Sequence, residues 1–163
     1  MRRPGPGLHH PATAADVRAT LYAFGAQAYY GVRLVELVPG PVELAPGPAA
    51  RNHHLALGCL AGPGQVRIFA QAPPPWRLGA PVPEPDRAWL ASAGADVRAA
   101  AVVEWPGDSL RRFMLSHVLA HEIGHHLLQH ERRLRGERAA RTRDHEARAE
   151  AVAAALRNRL PWA

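Results

Sequence analysis

His121 and His125 stand four residues apart in the string HVLAHEIGHHLL (residues 117–128), with Glu122 directly after the first of them. On an α-helix a spacing of four leaves two side chains rotated by only about 40° and one turn apart, so both imidazoles can face a single ion. Glu122 then lies about 100° from His121 and about 60° from His125, beside the ion rather than on it. A base that acts on an activated water belongs there. The one cysteine, Cys59, excludes an internal disulfide and any thiolate-built metal cluster, so a metal would be held by histidine and carboxylate. With 10 His and 9 Glu in 163 residues, composition alone gives roughly 0.03 expected HExxH matches.

The plain alternative is an exposed, histidine-rich helix face, and three features weigh against it. Leu115, Val118, Leu119, Ile123 and Leu127 surround the motif, which predicts burial. Gly124 sits inside the helix at a cost of about 1 kcal/mol relative to Ala, which predicts close approach of a strand or of the last helix. Glu146 and Glu150, four apart, share one face of a second helix. A catalytic zinc takes three protein ligands and leaves a fourth position for water, and two His with one Glu meet that requirement.

Taken together, the His121-Glu122-x-x-His125 motif and the later Glu146-Ala147-Arg148-Ala149-Glu150 segment resemble the gluzincin group of zinc metallopeptidases. In that group a Glu about twenty residues after HExxH, in an ExxxD or ExxAD pattern, completes the metal site. The resemblance implies Zn2+ on His121, His125 and Glu146, with Glu122 as general base and Glu150 orienting a ligand histidine from behind. Glu150 stands where the group carries Asp, so a reversal in which Glu150 binds the metal stays open at this point. The metzincin alternative needs Gly and His where Leu128 and Glu131 stand. Size and element order are also similar to the small ImmA/IrrE-type bacterial peptidases, a likeness confined mainly to residues 109–160. The implied activity is hydrolysis of a peptide or protein substrate.

These residues need a scaffold. The spacing predicts a long helix over 109–134, about 39 Å at 1.5 Å per residue, and a final helix from Asp144 to Leu160, stopped by Pro161. Upstream, Thr13 caps a helix through Val17, Leu21, Phe24 and Ala28 that ends near Gly31. β-prone runs follow at 32–38, 53–60 and 65–71, with a weaker one at 99–105. The turn Ala61-Gly62-Pro63-Gly64 predicts an antiparallel hairpin, and Pro-rich stretches at 39–48 and 73–85 read as loops. The run 65–71 is expected at a sheet edge, where it would hold an extended peptide by main-chain bonds. The fold class is therefore α+β and zincin-like: a small, mostly antiparallel sheet on the HExxH helix, closed by the Glu-bearing C-terminal helix. Residues 1–12 read as a flexible leader and 13–163 as a single domain.

Composition sets the remaining bounds. The formal charge is +6, carried entirely by 20 Arg with no Lys. No apolar run reaches the roughly 18 residues of a membrane span, and the start lacks the apolar stretch of an export signal, so a cytoplasmic, reducing location is expected. Six Arg in 131–143 raise nucleic-acid association, which ranks last because no DNA-binding motif accompanies them. A catalytically inactive zincin-like binding or regulatory module ranks second. His117 is expected to pack. His126 and His130 are expected to be solvated or bonded locally, and the pairs His9-His10 and His53-His54 carry no assigned chemistry. Tyr29, Tyr30, His117 and His145 are unranked candidates to donate a hydrogen bond opposite the metal. Spacing does not settle the oligomeric state.

Overall fold

A computed structural model of the chain describes residues 1–40, 57–78, 80–98, 101–134 and 143–162. The architecture is α+β. Helix α1 (Ala14–Phe24) opens with the capping expected of Thr13: its hydroxyl accepts from the Asp16 N–H at 3.1 Å while Asp16 accepts from the Thr13 N–H at 2.8 Å. Val17, Thr20 and Phe24 face inward. The helix does not run on to Gly31. It breaks at Gly25, whose φ of +91° only glycine adopts without strain, and a single turn α2 (Ala26–Tyr29) follows.

Strands β1 (Leu34–Val38), β2 (Gly58–Gly62) and β3 (Gln65–Phe69) form one sheet in the order β1-β3-β2. The hairpin is present, with Cys59 opposite Arg67, Leu60 opposite Val66 and an irregularity between Leu60 and Gly62. Of the run 53–60, residues 53–56 and the pair His53-His54 lie outside the described residues, as does most of the loop at 39–48. Val66 and Ile68 are buried while Arg67 turns outward to Glu36 at 3.3 Å. The expected edge position is overturned: β3 is the central strand, parallel to β1 on one side and antiparallel to β2 on the other. Its main-chain groups are already paired, so it cannot accept a peptide. Alternation reveals which face of a strand is buried but not how many neighbours it has.

A second sheet replaces the single one expected. Strands β4 (Trp76–Arg77), β5 (Asp96–Arg98) and β6 (Val102–Glu104) pair antiparallel in the order β4-β6-β5. Two features fall in or beside the Pro-rich stretch read as loop, β4 and the helix α3 (Glu84–Ser92). Pro85 is tolerated because it occupies the first turn, where its missing N–H is not required. Residues 1–12 make backbone hydrogen bonds to the first sheet region, Arg2 N–H to Leu37 O at 2.8 Å and a reciprocal pair between His9 and Gln71.

The long helix occupies its expected span in three parts: α4 (Ser109–Phe113), a π-helical segment (Met114–Leu119) and α5 (Ala120–Leu134). Asp108 sits at the start without capping through its side chain, which pairs instead with Arg111 at 2.7 Å. The Ser116 hydroxyl donates back to Arg112 O at 2.7 Å inside the widened turn. The core gathers on this helix: Phe113, Leu119, Ala120 and Ile123 are fully buried beside Phe24, Val66, Leu90 and Val103. Helix α6 (Arg143–Arg157) packs along α5, and Asp144 lies in its first turn. Beyond α6, Arg159 donates to Phe24 O and ties the tail to the end of α1. No helix among the described residues is long and apolar enough to cross a membrane.

Arg111 also reaches Asp16 at 2.6 Å, joining α4 to α1. That guanidinium, helped by the Thr13 cap and opposed by partial burial, holds the Asp16 carboxyl well below the usual carboxylate range. The stabilisation is therefore complete above the unfolded carboxyl's pKa of about 4 and declines as pH falls below it toward the lowered folded value. Because the pair is partly exposed, Asp16→Asn should cost about 1 kcal/mol at pH 6. In urea unfolding the difference from wild type should narrow progressively below pH 4, and a constant difference would assign the loss to something other than the ion pair.

Candidate metal centre

Helix α5 presents His121, Glu122 and His125 in that order around its first turns. His121 is partly exposed, whereas the His125 side chain is 4% exposed and Glu122 8%. The two imidazole rings meet edge-on, with centroids 4.5 Å apart and planes at 85°.

Helix α6 delivers the acids, and Gly124 decides how near they come. A Cβ at Gly124 would lie 2.5 Å from Ala149 O and 3.2 Å from the Ala149 carbonyl carbon, so the backbones of α5 and α6 meet where neither helix has bulk. The inner row of α6 is His145, Ala149, Ala153 and Leu156, all buried at spacings of four, four and three. Glu146 and Glu150 form the adjacent row, one position round, and so flank the contact.

Glu146 Oε2 lies 3.4 Å from His121 Nε2 and 3.3 Å from His125 Nε2, and all three ligand atoms fall within 4.8 Å of one another. Glu150 takes the other side of the first ring, with Oε2 at 3.2 Å from His121 Nδ1. Its second oxygen accepts from Arg157 Nη2 at 2.7 Å. The structure thus brings His121, His125 and Glu146 to one point, with Glu150 behind His121 and not at that point.

The spacing fits a shared cation. Ligands at about 2.0–2.1 Å from a tetrahedral zinc are separated by edges of about 3.3–3.4 Å. Charge-assisted hydrogen bonds between the same atom types run at about 2.7–2.9 Å. The two Glu146 separations match the first figure and exceed the second. Burial disfavours the charged His121 ring, yet Glu150, Glu122 and Glu146 outweigh it and raise its pKa above the ordinary value, so these carboxylates favour positive charge there. Glu150, despite burial, is lowered to about 2 by the hydrogen bonds from His121 and Arg157.

The neighbouring histidines separate into distinct roles. His145 is 1% exposed and stacks on His125, centroids 5.0 Å apart and planes at 19°, so it fixes the plane of that ring. His117 packs against Phe113 and Trp89 and bonds Ser116, as a packing residue would. Burial, reinforced by the positive charge of Arg157, lowers its pKa to about 4. His126 is not solvated: it is 3% exposed and its Nε2 bonds the Tyr30 carbonyl at 2.9 Å. His130 lies edge-on to the Tyr30 ring. Sequence reasoning missed Arg157, whose only signal was its position seven residues, or two turns, after Glu150. The side chains of the Arg-rich stretch 132–143 lie outside the described residues.

In comparisons with known proteins the chain matches no family model, no curated protein and no solved structure.

The Gly124 contact is directly testable. Gly124→Ala gains about 1 kcal/mol of helix propensity but drives a methyl into a backbone carbonyl that cannot rotate away. The net expectation is destabilisation by about 1–3 kcal/mol, read from urea unfolding midpoints. A variant as stable as wild type would mean that the two helices do not meet at this residue.

Proposed function

We propose that the protein is a zinc-dependent metallopeptidase in which His121, His125 and Glu146 hold the metal and Glu122 is the general base. The observation that carries this reading is the position of one Glu146 oxygen at ligand-edge distance from two imidazole Nε2 atoms. The charge balance supports it. Three acidic side chains, Glu122, Glu146 and Glu150, gather at His121 beside the single guanidinium of Arg157, an excess of acid that a divalent cation would offset.

The chemistry that zinc supplies when bound is Lewis acidity, which brings the pKa of a water to about 7 and polarises a carbonyl. The protein's own residues do the rest. His121 and His125 would hold the metal through Nε2, His121 giving up the proton that its neighbouring carboxylates favour, and the ring of His125 is kept in its plane by His145. Glu150 accepts the Nδ1 proton of His121, which leaves Nε2 free to coordinate. Glu122, one residue from the first ligand and shielded from bulk water, takes the proton of the attacking water and returns it to the leaving amine. Its placement beside the ligand pair rather than among the ligands suits that role. The substrate class is a peptide or protein.

Purified protein should contain about one zinc per chain by elemental analysis. Glu122→Gln should lower peptide hydrolysis by about 10²–10⁴-fold while keeping the metal, and His121→Ala should lose the metal. Absence of zinc from wild type would refute the metal site. Full zinc without hydrolysis in wild type would make the module a non-catalytic one that retains a structural ion, and equal hydrolysis in Glu122→Gln would remove Glu122 from the role of base.

A further inference from the structure

Glu150 is longer by one methylene than the Asp of the gluzincin-like pattern, and its extra rotatable bond leaves the carboxylate free to choose among more rotamers. Something must restrict it if one oxygen is to stay on the His121 ring. The contact to His121 Nδ1 is 3.2 Å, while the contact to Arg157 Nη2 is 2.7 Å, within the charge-assisted range. The stronger hold on Glu150 is therefore Arg157. The Arg157 side chain is only 20% exposed, and among the described residues Glu150 is its hydrogen-bond acceptor, with Nη1 buried and unbonded. Its polar contact is thus spent on the oxygen that His121 does not use.

An ordinary ion pair along one helix would leave the rest of the molecule unchanged, since such pairs contribute about 0–1 kcal/mol. Here the pair ends on a ring whose far nitrogen faces Glu146 at 3.4 Å. The chain Arg157, Glu150, His121 spans from the last turn of α6 to the first turn of α5. Arg157 is hydrogen-bonded to neither imidazole.

We infer that Arg157 is a positioning residue for His121: it orients Glu150 so that the carboxylate holds the ring at Nδ1 and turns Nε2 toward Glu146. Its consequence for metal affinity rests on the proposed reading of His121 as a zinc ligand. The clamp itself belongs to the metal-free protein.

The test uses the full chain labelled with 15N-histidine, comparing wild type, Arg157→Met and Arg157→Lys by long-range 1H–15N spectra without metal and by chelator competition for zinc. In wild type the His121 Nδ1–H should appear as a slowly exchanging proton hydrogen-bonded to Glu150. Arg157→Met should lose that slow exchange and weaken zinc binding about 10-fold, with an unfolding midpoint close to wild type. Arg157→Lys should recover much of both, because the single contact asks for a cation rather than a fork. Should Arg157→Met not fold, Arg157→Gln takes its place. A wild-type Nδ1–H and wild-type affinity in the neutral variant would overturn the inference. If wild type binds no zinc, the proposed function fails, and the metal-free spectra still decide the role of Arg157.

Discussion

The distance between α5 and α6 at Gly124 and Ala149 is the constraint on which the candidate site depends. Side chains of fixed length project from both helices toward one point, so their ends meet only if the backbones come within a narrow range of each other. A hydrogen at Gly124 and a methyl at Ala149 leave the Ala149 carbonyl as the nearest obstacle, closer than any Cβ would permit. With that contact made, Glu146 reaches both Nε2 atoms, and Glu150, on the same row of α6, reaches Nδ1 on the other side of the His121 ring. Bulk at the seam would separate all of these contacts together.

A close seam has value only if α5 cannot roll, and the rest of the molecule holds it in place. Helix α5 packs on β2, and the π-helical segment before it packs on β3, α1 and α6. Further back, Phe113 contacts Trp89 and Trp105, and Trp105 contacts Trp76 of β4, which links this helix to the second sheet. His126, on the side of α5 away from the ligand pair, is bonded to the Tyr30 carbonyl, so the helix is gripped there as well. The π-helical segment lies between the aromatic anchor and the turn that carries His121 and His125. An i→i+5 turn changes the rotation between the residues before and after it, and single π turns of this kind recur at functional sites.

Electrostatics concentrate where packing permits. The chain is strongly basic overall, yet three carboxylates approach the His121 ring closely enough to raise its pKa against the effect of burial. Partly buried carboxylates are costly without partners, and each partner here has a direction. Arg157 and His121 divide the oxygens of Glu150 between them, while Glu146 directs one oxygen at two nitrogens. The first arrangement is satisfied within the protein, and the second is the one that a cation would complete.

Local features were readable from the sequence because they depend on short-range geometry: the Thr13 cap, the hairpin around Gly62, the span of the HExxH helix and the shared face of Glu146 and Glu150. The need for space at Gly124 was readable too, since an interior glycine costs stability without a reason for it. What remained beyond the sequence was everything set by contacts distant in the chain. Alternation along β3 could not show that the strand lies between two others, because burial of one face is the same at an edge and in the centre. The prolines around α3 gave the composition of a loop, although Pro85 in a first turn is compatible with a helix. Helical spacing placed Glu146 and Glu150 on one face but could not tell which reaches Nε2 and which reaches Nδ1, since that choice follows from how α6 lies across α5. Nor could it show that His126 is buried or that Arg157 grips Glu150. Periodicity fixes directions around one axis, and only the relative placement of axes turns directions into distances.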